Sequence, residues 1–389
     1  MKKLFLVLIV FSLTGCWNYR ELNNLAIATG IAIDKVDDNF QITIMIANSK
    51  KQSSSETNSQ ASTAVYTGKG ETIYEAWKDA AMAISKQIYI GHIEVLILSE
   101  EVSKSDFFDS IDFLFRYPQT RNNFYIVIAN SCNAGDVLKI NLPLEFYPSQ
   151  NIMKNLEITS GLQAFTDKIT FNNLMKNLLE EGIDAILPSI SIIGSVEEGN
   201  SEDNLKKSET DAYLKLGTLA IFKNDKFITF ATKDESEGIN ILKNKVQTAE
   251  IKVTLKDENI VIEVNGSKAK INYNLNSNIP SINIDIDIAG AIVEVASDID
   301  IDDPDIIKRI KEKSEEEVVR IVNSAIDLMK KKSVDPIGFG NEIYKKNYKY
   351  WYTIKNNWED KILPKTNFNV NTSFEIETKG TTSTTIKED

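Results

Sequence analysis

The clearest pattern along the chain is Ile282, Ile284, Ile286 and Ile288, with Asn or Asp at each position between. Successive side chains of a strand point to opposite faces, so this segment predicts a strand with one buried and one wet face, as in an antiparallel sheet. The same period at Ile42, Ile44 and Ile46 predicts a strand over 40–47, reached from a strand over 24–33 through the polar turn 34–39. It recurs at Phe368, Val370, Phe374 and Ile376 in a final strand. Continuous apolar runs at 93–98 and 124–129 predict strands buried on both faces. Further strands are expected at 185–193, interrupted by Pro188, and at 213–222, 226–231, 249–255, 260–264 and 268–275.

Elsewhere the period is helical. Ile73, Trp77, Ala80 and Ile84 share one face of a helix over 71–86. Helices are also expected at 105–115, with Ser105 as N-cap, at 150–157 and at 171–181. Pro304 suits the first position of a helix capped by Asp303. Its stripe runs through Ile307, Ile310, Ser314, Val318, Ile321, Ala325 and Leu328 to about Lys332. A second late helical region, rich in Tyr and Trp, falls within 337–357. The resulting fold class is α+β: a mixed α/β N-terminal region, then a β-rich C-terminal region with two late helices. Three polar or broken stretches punctuate it. Residues 48–63 read as a mobile loop, 142–148 as a subdomain joint, and the acidic stretch 196–211 as the main linker.

The first residues set the compartment. Lys2 and Lys3 precede an apolar run from Leu4 to Leu13, too short to span a bilayer, and then Leu13-Thr14-Gly15-Cys16. This resembles a bacterial lipobox. It implies cleavage of a signal peptide at 1–15 and a diacylglycerol on Cys16, with acyl chains of the palmitate kind. Two chains give stable anchoring where one does not. Formal net charge is −12, and loss of Lys2 and Lys3 takes it to −14. An acidic body repels phosphate backbones, which argues against nucleic acid as a partner. With Cys16 acylated, Cys132 has no partner in the chain and reads as a small hydrophobe at a strand end.

Catalytic and metal motifs fail one by one. His92 is the sole histidine, so a His-rich zinc site is excluded, and the residue reads as structural. Gly68-Lys69-Gly70 lacks the spacing of a phosphate loop and reads as a turn into the first helix. Asp298, Asp300 and Asp302 open like a calcium loop, but Asp303 stands where a glycine is needed and Arg309 where a bidentate acid is needed. No Gly-x-Ser-x-Gly or Gly-x-Gly-x-x-Gly motif is present. No cofactor, metal or catalytic set is expected. The aromatic segment leaves Tyr348, Trp351 and Trp358 as a candidate partner surface, against the commoner fate of such clusters as core.

The order of segments resembles the Ger(x)C family, the lipoprotein C subunits of spore germinant receptors. The resemblance rests on Gly15-Cys16-Trp17, Arg20-Glu21-Leu22, Thr29-Gly30-Ile31-Ala32-Ile33-Asp34, Tyr89-Ile90-Gly91-His92, Leu98-Ser99-Glu100-Glu101 and Phe113 through Arg121. It continues at Gly217 through Lys223, Glu237-Gly238-Ile239, Asp335-Pro336-Ile337-Gly338-Phe339-Gly340, Trp358 and the strand ending at Gly380. Asn18 departs from the family, which more often has an acid there. The resemblance implies an N-terminal germination-protein domain over 16–195, a C-terminal one over 212–381 and a polar tail over 382–389. It also implies a non-enzymatic subunit of a receptor complex with two integral-membrane subunits, at the outer face of the spore inner membrane. The competing reading is an independent solute-binding lipoprotein.

Overall fold

The computed structural model describes residues 22–48, 61–296 and 299–378. The leader 1–15, Cys16, most of the loop expected at 48–63, Asp298 and the tail 382–389 lie outside these residues. The first half is built on a sheet whose centre is four parallel strands: β1 (Leu25–Val36), β5 (Val95–Leu98), β6 (Tyr125–Ala129) and β7 (Ile186–Gly194). Antiparallel strands extend it on both sides. β2 (Asn39–Ala47) and β3 (Thr63–Gly70) lie beyond β1, and β8 (Ala212–Lys223) and β9 (Lys226–Phe230) beyond β7. The short β4 (Gln87–Tyr89) pairs with the start of β1.

Alternation places one set of side chains on each face. Ile31, Ile33, Leu96, Leu98, Ile126 and Ile128 enter one core, while Ala32, Val95, Ile97, Val127 and Ala129 enter the other. The first core is covered by α1 (Ile73–Met82), α2 (Glu100–Ser105), α3 (Phe107–Arg116) and α6 (Phe171–Leu179). The second is covered by α4 (Ala134–Val137) and α5 (Pro148–Leu162). Buried Asp34 of β1 ties the layers together. Its carboxylate accepts the backbone N–H groups of Ala134 (2.7 Å) and Gly135 (2.8 Å), orphan donors at the start of α4.

Gly68 and Gly70 sit in β3, not in a turn. A Cβ on Gly68 would stand 2.2 Å from the Ala80 nitrogen and 2.3 Å from the Ala76 carbonyl oxygen, so glycine permits α1 to lie directly on the strand. The helix itself starts later than expected, at Ile73 behind a capping box of Thr72 and Glu75. Ser105 is not an N-cap. It ends α2, whose own cap is Ser99, and α3 begins after Asp106.

The acidic stretch 196–211 is no linker. It connects two adjacent, hydrogen-bonded strands, β7 and β8, through α7 (Val196–Gly199) and a 3-10 turn at Glu202–Leu205. Buried Asn204 bonds the Ala212 N–H and carbonyl and the Asn141 carbonyl. A polar side chain that satisfies backbone groups holds this segment, so no apolar period is needed. Likewise, the expected joint at 142–148 is a helix entry: Pro148 is the first residue of α5, whose Ile152 and Leu156 pack in the second core.

The second sheet runs β10 (Ala249–Leu255), β11 (Glu258–Asn274), β12 (Ser281–Glu294) and β13 (Asn367–Thr378). β11 unites two expected strands, because the chain passes Gly266 (φ +148°) through a bulge and stays paired with β12. The long helix α9 (Pro304–Lys332) follows its expected stripe from Ile310 to Leu328, with Asp303 capping it. α8 (Lys233–Leu242) is not among the expected helices. A Cβ on Gly238 would stand 2.6 Å from the Ile321 carbonyl, so the glycine is the contact between α8 and α9. The late aromatic region is two short helices, α10 (Phe339–Lys346) and α11 (Tyr348–Ile354), followed by single turns to Lys365. The final strand β13 pairs parallel to β12.

Candidate functional site

The aromatic segment divides into core and surface. Trp351 is 2% exposed and Trp358 1%, so neither belongs to a partner surface; Tyr348 is 58% exposed and Tyr352 56%. The two tryptophans pack edge to face at 6.0 Å, because each indole N–H has a carboxylate to reach. Trp351 Nε1 donates to Glu181 (2.7 Å) and Trp358 Nε1 to Asp335 (2.9 Å).

Asp335 is the centre of this region. It is fully buried, and its Oδ1 accepts the N–H groups of Gly338 (2.8 Å) and Phe339 (3.0 Å). Its Oδ2 accepts the N–H of Gly340 (2.7 Å) besides Trp358. Those amides begin α10 and have no partner inside the helix, so the carboxylate caps it. The glycines follow from the geometry. Gly338 has φ +86°, and a Cβ on Gly340 would stand 2.8 Å from both indoles. Burial pushes the Asp335 carboxyl up to about 6, against the pull of its four donors.

The same residue joins the two halves of the chain. Asp335 N–H donates to Asp184 Oδ2 (2.7 Å), and Asp184 N–H returns a bond to the Asp335 carbonyl (2.9 Å). Asp184 Oδ1 accepts the Asn224 N–H (3.0 Å). Asn341 bonds the Glu181 and Gly182 carbonyls, and half-buried Lys243 donates to the Pro336 carbonyl (2.8 Å). Glu359 stands nearby, raised to about 7 by burial, with Lys223 at 3.6 Å opposing the shift. Carboxylates with raised pKa values in one place resemble an acid–base pair. Here the Asp335 oxygens are occupied by protein donors and closed to solvent, which makes the cluster a clasp.

Cys16 lies outside the described residues. Cys132 is half-buried just past β6, and burial pushes its thiol up to about 11, away from the reactive thiolate. His92 is exposed, edge-on to Tyr89 in the turn before β5, so the length of the parallel strands separates it from Cys132. It lines a cavity of about 520 Å³ together with Thr29 and Arg121. Asp300 and Asp303 accept backbone N–H groups from Asp302 and Asp305 as local turn and cap. Among the described residues no group of three or more His, Cys, Asp or Glu is placed to hold a metal ion.

Comparison with known proteins fits this architecture. Residues 18–192 match the family "Spore germination protein N-terminal domain", and 217–380 match "Spore germination B3/GerAC like, C-terminal". Spore germination protein KC of Bacillus subtilis is 27% identical, over 98% of this chain and 96% of that protein. Spore germination protein B3 of Bacillus subtilis is 23% identical, over 96% of each. The crystal structure of the GerBC protein superposes with TM-score 0.54 at 19% identity, covering 90% of this chain and 97% of that one. With both family segments in order on one α+β fold, the chain belongs to the GerAC family of spore germination proteins.

Proposed function

We propose that the chain is a non-enzymatic subunit of a nutrient germinant receptor. Cys16 would hold it at the outer face of the spore inner membrane, beside two integral-membrane subunits. The observation that carries this reading is the match of both family segments, together with near full-length similarity to spore germination proteins. The lipobox ending at Cys16 supports the anchor. Among the described residues no helix is long and apolar enough to cross a membrane. Residues 16 to 22 can reach at most about 21 Å, which keeps the end of the sheet where β1 starts close to the bilayer. A tether of that length raises the local concentration of membrane partners, so individually weak contacts suffice. Tyr348, with Tyr344 and Tyr352 exposed on the adjoining short helices, is the part of the aromatic segment left to meet a partner.

Spores lacking the gene should lose germination with one class of nutrient, while vegetative growth and germination by unrelated routes persist. Normal germination with every nutrient, in a strain without a redundant receptor, would contradict the proposal.

A further inference from the structure

The cavity beside His92 lies where β5 and β6 begin, at the end of the parallel strands opposite to that used by most open α/β sheets. The turns entering the two strands supply His92 and its one cation among the described residues, Arg121; α5 supplies Glu157, and Glu94 stands just before β5. No side-chain partner holds the Arg121 guanidinium among the described residues, although the chain carries 56 acids to 44 bases. Glu157 accepts a bond from the Tyr125 hydroxyl at 3.2 Å through one oxygen only. Glu94 accepts from Ser149 at 2.8 Å, and burial raises its carboxyl above the ordinary range. Thr29 is 4% exposed, and its hydroxyl has no hydrogen-bond partner. Buried polar atoms are ordinarily paired, so this one is available to a guest.

The mixture of signs narrows the guest. A simple anion would meet two glutamates, and a simple cation would meet the arginine. A small molecule with both charges satisfies each set, through the charge-assisted bonds that fix carboxylates on arginine and ammonium groups on carboxylates. About 520 Å³ falls in the range of small-molecule sites. We propose that this cavity binds a small zwitterion, with Arg121 receiving its carboxylate, Glu157 its ammonium group and Thr29 a further hydrogen bond. The inference stands independently of the receptor reading.

Saturation-transfer NMR on the full chain in detergent tests it. The probes are the standard α-amino acids, one at a time, with acetate and methylammonium as single-charge controls. At least one zwitterion should bind saturably with Kd below about 10 mM, and neither control should. Arg121→Gln and Glu157→Gln should each weaken that binding about tenfold, with unchanged melting temperature, since both side chains are exposed. Arg121→Lys, which keeps the charge and loses the fork, should fall between. The proposal is overturned if no zwitterion saturates, if the controls bind as well, or if both glutamine variants bind like the wild type.

Discussion

Asp335→Ala is expected to destabilise the folded chain by about 4 kcal/mol, a large share of a typical folding free energy. The substitution strips four donors of their acceptor: the amides of Gly338, Phe339 and Gly340 and the indole of Trp358. Each buried unsatisfied donor costs about 1–3 kcal/mol, and removing the buried charge offsets only part of the sum. Lys243, half-buried beside it, would also lose a favourable charge. Asp335→Asn should cost less, because one oxygen survives while the amide nitrogen faces donors. The acid has a further signature. Its folded-state value is raised to about 6 from an unfolded value near 4 (an ordinary Asp is about 3.9), so the native state holds the proton longer. Its contribution to stability therefore falls as pH rises through that window, and this part of the pH profile should vanish in Asp335→Ala. Denaturant titration between pH 4 and 7 reads both effects. A loss below about 1 kcal/mol for the alanine variant would show that the clasp is not structural.

Cys16→Ala is expected to abolish lipid attachment and, with it, most germination through this receptor. Two acyl chains give stable membrane residence, and their loss removes an effective-concentration advantage of about 10²–10⁴. The body should still fold, because no described contact depends on residue 16. Metabolic labelling with a fatty acid reports the first step, and germination of the variant spores the second. Equal label in variant and wild type would place the anchor elsewhere. Full germination without label would mean that protein contacts alone retain the subunit.

Legibility in the sequence tracked how each segment is held. Segments held by apolar burial were readable: the runs of β5 and β6, the alternation of β12 and the stripe of α9 all appear close to where their patterns place them. Segments held by polar or glycine contacts were not. The stretch 196–211 looks like a linker until Asn204 is seen bonding Ala212 and Asn141. Gly68 reads as part of a turn and the segment around Gly238 shows no clear period, yet each glycine permits a backbone to approach within a Cβ radius. Trp351 and Trp358 illustrate the limit of composition: an aromatic cluster has the same letters whether its indoles meet Glu181 and Asp335 inside or a partner outside. Asp335 carried a signal, the run Asp335-Pro336-Ile337-Gly338-Phe339-Gly340, in which an acid precedes a glycine-rich helix start. Only the fold reveals that its partner Asp184 lies in the other half. The cavity was equally hidden, since Thr29, His92, Arg121 and Glu157 come from four separate segments.

Capture of a tagged chain from detergent-solubilised spore inner membranes tests the receptor-subunit reading most directly. The account predicts that the chain is found in the membrane fraction, carries fatty acid, and brings with it two integral-membrane proteins in comparable amount. Recovery of an unacylated chain from the soluble fraction, with no membrane protein attached, would contradict it.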